Sequence, residues 1–413
     1  MRAAISRTVI FMLAAGACVA AADWPQFLGP TRNGVYTGPP LAETWPPNGP
    51  RVVWRRQVGA GFAGPAVVGT RLILFHRLGA EEVVESLGTR DGTTEWRYAY
   101  PTTYRDDFGF DEGPRAVPVV ANGRVYTFGA EGMLSAVELS TGKKVWSVDT
   151  RRRFGVAKGF FGQAGSPLVE DGRVIANIGG TDTAKSAGIV AFNADTGAVI
   201  WEATNHEASY SSPTSATFGG KKAALFFTRQ GLVGIDPATG AVQFQRPWRS
   251  RTQASVNAAS PVVVDDLIFV SATYETGAAV VRVDGAKLTE IWSSDDALSN
   301  HYATSIYYAG HLYGFHGRQE FGQALRAIDL KTGKVDWTVN QFKAGTMLLA
   351  GNRLLILRES GELILAAATP EAFKPIAHAQ ILTGVVRAYP ALADGFLYAR
   401  NAADLLVCVD LRR

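Results

Sequence analysis

Cysteine is nearly absent: the 413 residues contain two, Cys18 and Cys408. Cys18 lies in a segment that reads as a removable leader. Cys408 then has no partner, which excludes an intramolecular disulfide framework. It sits in an apolar stretch, Leu405 to Leu411, and reads as a buried, inert thiol. Long hydrophobic runs are missing too. The apolar stretch Val9 to Ala17 is too short to span a bilayer. Charge of one sign is not in excess: 41 Lys and Arg against 37 Asp and Glu leave +4. Arg2 and Arg7 belong to the leader, so the mature chain is near neutral and offers no electrostatic case for nucleic acid. There is no phosphate-binding loop ending in Lys-Ser/Thr, no Gly-x-Ser-x-Gly elbow and no His-Glu-x-x-His pair.

What is present is a repeated phrase. Ala136-Val-Glu-Leu-Ser-Thr-Gly-Lys-Lys-Val-Trp146 is one copy and Ala327-Ile-Asp-Leu-Lys-Thr-Gly-Lys-Val-Asp-Trp337 another. Ala191 to Trp201 and Gly234 to Phe244 stand between them, and looser copies end at Trp96 and Trp292. A spacing of roughly 40 to 55 residues between like aromatics is the period of a propeller blade. The phrase reads as strand, Thr-Gly turn, strand, with glycine free to take positive φ. Upstream, Ala116 to Ala121, the hairpin signal Asn122-Gly123, Arg124 to Phe128, and Met133 to Leu139 complete four short antiparallel strands. A lone four-stranded sheet leaves both faces unburied, and a ring of such sheets buries them against their neighbours.

The count predicts an all-β, eight-bladed propeller of four-stranded antiparallel blades. Trp54, Trp96, Trp146, Trp201, Phe244, Trp292 and Trp337 close blades, and a degenerate unit ends near Ala377. In that unit Thr369-Pro-Glu-Ala-Phe373 replaces the Thr-Gly turn, so seven blades with an irregular tail is the alternative. The last unit lacks its fourth strand and the N-terminus supplies an orphan one, Arg51 to Val58. Joining the two closes the ring and removes exposed edges. The expected organisation is a signal peptide over 1–22, an arm over 23–50 and one propeller over 51–413.

The Ala-x-Asp-x-x-Thr-Gly-x-x-x-Trp phrase resembles the tryptophan-docking repeat of the pyrroloquinoline-quinone (PQQ) repeat propellers. Asp23-Trp-Pro-Gln-Phe-Leu-Gly-Pro-Thr-Arg-Asn-Gly34, Ser209-Tyr-Ser-Ser-Pro213 and Asn300-His-Tyr-Ala-Thr304 resemble segments of secreted bacterial members. The resemblance covers essentially the whole mature chain. It implies the fold strongly and an activity weakly, because the docking aromatics touch no substrate. That superfamily holds both quinoprotein alcohol dehydrogenases and non-catalytic scaffolds.

Export is expected from the N-terminus. Arg2 and Arg7 precede the apolar stretch, and Ala20-Ala-Ala22 offers a small-residue cleavage site before Asp23. The periplasm or the extracellular space is the expected location. Lipoprotein anchoring through Cys18 is the less favoured alternative, since the usual Leu three residues before the cysteine is missing.

A ligand site is expected at the rim formed by loops that approach the innermost strands. Those loops carry Arg115, Gln163, Tyr210, Asn257, His301, Lys343 and Arg387. Convergent polar groups at a funnel mouth are the default site on this architecture, and three cations favour an anionic ligand. Solvated loop residues explain the same pattern. Two insertions stand on adjacent blades. Asp106, Asp107, Asp111 and Glu112 could bind a hard cation, although a solvated acidic turn is the simpler reading. Arg151 to Phe161 mixes basic and aromatic residues that could grip a partner or pair with the acidic insertion. Gly59-Ala-Gly-Phe-Ala-Gly64 matches a dinucleotide fingerprint, but Pro65-Ala-Val-Val follows where a helix is required.

The favoured function is a non-catalytic exported propeller that binds a protein, peptide or cell-envelope ligand at its rim. A monomer is expected. The alternative is a PQQ- and calcium-dependent dehydrogenase acting on alcohols or sugars. The resemblance implies, for such enzymes, adjacent cysteines in many members, an acidic and an amide calcium ligand, and an Asp base. This chain has no adjacent cysteines and no clear channel carboxylate outside the acidic insertion. His301 is the one obvious rim base. No cofactor is firmly implied; PQQ and calcium are the candidates.

Overall fold

The computed structural model describes residues 22–181, 186–250, 252 and 256–413. The segment 1–22 expected to be a leader, with Cys18, lies outside the described residues except for Ala22. Eight antiparallel sheets follow one another along the chain. In the second, the strands are Val119–Ala121, Arg124–Phe128, Met133–Glu138 and Lys144–Asp149. The innermost strand has 3 residues, as a wedge that narrows towards an axis requires. The turn after it, Asn122-Gly123, has φ of 51° and 72°, the pair of positive angles that a type I′ hairpin demands.

The degenerate seventh unit is a regular blade built from Gly345–Ala350, Arg353–Arg358, Glu362–Ala367 and Lys374–Gln380. The count is therefore eight. Arg51–Gln57 pairs antiparallel with Leu405–Asp410 and completes the sheet begun by Ala391–Ala393 and Phe396–Arg400. The N-terminal strand thus closes the ring. Among the described residues the helical content is the short helix Thr150–Phe154 and the 3-10 turn Gln319–Phe321.

The repeated aromatic has two jobs. Its ring leans over a small residue on the neighbouring strand: Ala136, Ala191 and Ala327 face Trp146, Trp201 and Trp337, and Gly234 faces Phe244. Cys408 occupies that small-residue position opposite Trp54. It is 1% exposed, and burial pushes its thiol up to about 12, which accounts for an inert cysteine by packing. Each indole also reaches the next blade. The Nε1 of Trp54, Trp96, Trp146, Trp292 and Trp337 donates to the carbonyls of Thr89, Leu139, Ala194, Leu330 and Thr369 at 2.8–3.0 Å. Trp201 donates to Pro237 at 3.2 Å.

The receiving turn needs glycine twice over. Gly197 has φ +71°, and a Cβ there would stand 2.8 Å from the Trp146 ring. Gly240 and Gly333 bear the same relation to Trp201 and Trp292. The Thr-Gly of the phrase is therefore the socket for the preceding blade's tryptophan.

The arm crosses the channel. Trp24 exchanges backbone hydrogen bonds with Val67 of the first blade, and Pro25 accepts from Val120 of the second. The guanidinium of Arg32 donates to the carbonyls of Pro167 and Pro213, at the starts of the third and fourth blades. Val35–Tyr36 pairs in parallel with Leu349 and Ala350 of the seventh. Ala22 and Asp394 of the eighth exchange hydrogen bonds. Trp24, Leu28 and Tyr36 are buried by these contacts. The hub is thereby plugged by the chain's own N-terminal segment.

Candidate functional site

On the plug rests a cavity of about 210 Å³. Phe27 of the arm lies in its lining, edge-on to Tyr389 with ring centroids 4.9 Å apart. Part of the lining is made of small residues, Ala164, Ser166, Ser212 and Ala258. The sides are aromatic: Phe62, Phe110 and Phe161 on one, Tyr274 and Tyr302 on another. A separate depression lined by Thr31, Arg32 and Asn33 lies elsewhere along the arm.

Four of the seven rim residues expected from sequence line this cavity: Arg115, Tyr210, His301 and Arg387. Gln163 and Asn257 do not. Gln163 is buried and donates from Nε2 to the Ile178 carbonyl at 3.0 Å. Asn257 donates from Nδ2 to Thr228 and Trp248 at 2.8 and 3.0 Å. Gln163 serves a carbonyl at the irregularity within the strand Arg173–Thr181, and Asn257 serves carbonyls at two strand ends. Lys343 is exposed, has φ 71° and stands outside the cavity.

The two insertions fold against each other over the rim. Lys158 pairs with Asp107 at 2.5 Å, and Phe108 packs on Phe161 with centroids 5.2 Å apart. The four acidic side chains do not converge. The Asp106 carboxylate is fully buried, pairs with Arg115 at 3.0 Å and accepts the backbone N–H groups of Phe108, Phe110 and Asp111. Asp111 accepts from Gly61 and Gly113. Burial raises its pKa. Glu112 pairs with Arg105 and Arg77. Among the described residues no group of three or more His, Cys, Asp or Glu side chains is placed to hold a metal. His311 and His316, on one strand, are likewise engaged, with Asp336 at 2.7 Å and with the Ser299 amide at 3.1 Å.

The cations in the cavity are not alike. Arg115 spends its donors on Asp106 and on the carbonyls of Gly113 and Asp111, and lies over Phe62, Tyr104 and Phe161. Arg387 donates from Nε to Glu359 at 2.7 Å and lies over Phe62 and Phe110. Its Nη1 and Nη2 make no hydrogen bond among the described residues. Glu359 also accepts from the Tyr302 hydroxyl at 2.9 Å. Each arginine thus has a carboxylate neighbour, and the cavity is close to neutral. His301 is 8% exposed, shares a 2.8 Å hydrogen bond with the Tyr274 hydroxyl, and is pushed by burial down to about 4.

Reading polar residues first missed most of the lining. Phe62 stood within Gly59 to Gly64, Tyr302 within Asn300 to Thr304 and Tyr389 two residues after Arg387, with Phe110 and Phe161 in the insertions. Phe27 and Tyr274 carried no local signal, because the arm and a neighbouring blade's hairpin bring them in through tertiary contacts.

A closed eight-bladed propeller whose blades are tied by docked tryptophans has the architecture expected of the PQQ-like repeat propellers. The chain belongs to the family described as outer membrane protein assembly factor BamB, which it matches over residues 80–339 and 248–413. BamB from Moraxella catarrhalis has a similar structure, with TM-score 0.61 and 17% identity over 87% of this chain and 96% of that one. Quinohemoprotein alcohol dehydrogenase from Comamonas testosteroni aligns with TM-score 0.67 and 15% identity over 96% of this chain and 82% of that one. At such identities the likeness is one of fold. In sequence, 130 residues, 31% of this chain, are 34% identical to quinohemoprotein alcohol dehydrogenase ADH-IIG of Pseudomonas putida and cover 17% of it. A stretch of 83 residues is 37% identical to the dehydrogenase subunit of alcohol dehydrogenase (quinone) of Komagataeibacter europaeus and covers 11% of it. The matched stretches span less than a fifth of either relative.

The lining does not fit the PQQ and calcium considered from sequence. A hard cation needs six or more oxygens, several of them from carboxylates. Among the described residues Glu320 is the one carboxylate in the lining, and Arg318 holds it at 3.1 Å. A quinone tricarboxylate needs several open cationic forks, and among the described residues of the lining Arg387 alone has terminal nitrogens without a hydrogen-bond partner.

Proposed function

We propose that this chain is an exported, non-catalytic propeller that binds a protein, peptide or other cell-envelope ligand at the mouth of its plugged channel. The observation that carries this reading is the makeup of the mouth: an aromatic cavity whose charges are already compensated. General base catalysis wants a group poised near the working pH within reach of the substrate. His301, pushed down to about 4 and tied to Tyr274, is a weak base. Family membership and the BamB-like fold support the binding role, and the expected leader supports a periplasmic or extracellular setting.

Photo-crosslinking tests it. A crosslinker placed at Phe110 in cells is expected to give discrete adducts, whereas one placed at Thr217, away from the mouth, gives none. In parallel, purified protein is incubated with PQQ and calcium. Quinone absorbance that survives gel filtration, with dye reduction on alcohols or sugars, would overturn the reading and favour the dehydrogenase.

A further inference from the structure

We infer that the mouth cavity receives one aromatic ring bearing a single carboxylate, with Arg387 as the anion-binding group. This deepens the binding reading above and rests on it.

Size comes first. An apolar cavity of about 150 Å³ holds one benzene molecule. The mouth cavity, at about 210 Å³, has room for a ring and a short acidic substituent. Access comes second. Phe27 and the arm bar the way through the hub, so the ligand enters and leaves by one opening. A polypeptide cannot be threaded; only a chain end or a small molecule fits. The walls come third. Phe62, Phe110, Phe161, Tyr274 and Tyr302 present ring faces and edges, the surroundings in which an aromatic guest gains most.

Charge then selects the substituent. The Arg115 guanidinium is spent on Asp106 and two carbonyls. Arg387 is held flat by Phe62 and Phe110, and its Nε is fixed on Glu359, which Tyr302 fixes in turn. Its two terminal nitrogens remain as an open fork, the geometry that takes one carboxylate through two parallel hydrogen bonds. A second carboxylate would meet Glu320, also in the lining. Exposed Phe108 and Phe110 at the lip, 53% and 49% accessible, extend the apolar surface beyond the opening. The same chemistry is offered by a free aromatic acid and by the C-terminal aromatic residue of a polypeptide.

Calorimetric titration of the whole protein decides. The probes are 3-phenylpropionate, its amide, benzene-1,3,5-tricarboxylate, and the peptide Gly-Ser-Gly-Phe with a free or amidated C-terminus. The acid is expected to bind roughly tenfold or more tightly than the amide, as two charge-assisted hydrogen bonds imply, and the tricarboxylate more weakly than either. Arg387→Gln should erase the preference for acid over amide. Glu359→Gln should strengthen acid binding, and Phe110→Ala should weaken acid and amide alike. Circular dichroism and the melting temperature confirm that each variant is folded. Tighter binding of the free-acid peptide than of phenylpropionate assigns the source to a chain terminus; the reverse assigns it to a small molecule. Equal affinity for acid and amide, or a preference that survives Arg387→Gln, overturns the inference. If folded wild-type protein binds none of the probes, the ligand class is wrong, and crosslinking at Phe110 still decides the binding reading separately.

Discussion

Burial decides what His301 and His316 are able to do. Both are pushed down to about 4, chiefly by desolvation. In the unfolded chain a histidine titrates near about 6.5. Between those values the unfolded state binds more protons than the folded one, so stability falls as the pH drops. The contribution of the neutral imidazoles is whole above about pH 6.5 and is lost as the pH falls towards 4. Each adds a slope of up to about 1.4 kcal/mol per pH unit. Glu85, which burial would raise but hydrogen bonds from Thr94, Arg97 and Arg56 hold down to about 2, loses its contribution in a lower window. Urea midpoints measured from pH 7 to 4.5 should therefore fall, and His316→Gln should flatten the slope. A slope in His316→Gln equal to that of the wild type would show that this imidazole is solvated. At the same scale lies the reason the site was only partly legible. His301 and Arg387 were visible as polar residues on approach loops. Whether a polar side chain there faces the lumen or turns back to a backbone carbonyl, as Gln163 and Asn257 do, depends on backbone geometry that sequence does not display.

Turns and strands were far more legible, because each carries a local signal. Asn122-Gly123 and the repeated Thr-Gly mark reversals through residues able to take positive φ. The second role of the Thr-Gly glycine, as a socket, emerges only when blades are placed side by side. Two glycines separate the roles. Gly123 has φ +72° with nothing within 4 Å of where an added methyl would stand, whereas Gly197, at φ +71°, has the Trp146 ring 2.8 Å away. Gly123→Ala should cost about 1 kcal/mol, the price of a left-handed conformation. Gly197→Ala should cost about 2–4 kcal/mol, because the tryptophan must also give way. Chemical denaturation of the two variants measures the difference, and equal losses would mean that the ring has room to shift. The arm was the least legible element. Asp23 to Gly34 has no period of its own, and its place in the hub is set by carbonyls and N–H groups of several blades that only the closed ring assembles.

At the scale of the whole molecule, closure changes how stability is distributed. In an open array of repeats the terminal units have one neighbour and fray first. Here the strand Arg51–Gln57 gives the eighth blade its outer edge, and Trp54 on that strand docks onto Thr89 of the first blade. The seam is thus built like any interior joint. Trp146, in the middle of the chain, makes the same contact with Ala194 at 2.9 Å. Replacing either tryptophan by phenylalanine removes one indole hydrogen bond, while Arg124 still donates to the Ala194 carbonyl and Tyr398 to that of Thr89, so the loss is about 0.5–1.5 kcal/mol. Trp54→Phe and Trp146→Phe should therefore lower the urea midpoint by similar amounts without changing the slope of the transition. The joint after the fourth blade already does without an indole, since Phe244 closes it. If Trp54→Phe were silent while Trp146→Phe cost its expected share, the ring would be opening at the seam well before it unfolds. The plug would then become the chief tie between the first and last blades, because its Trp24 and Ala22 ends bind those two blades directly.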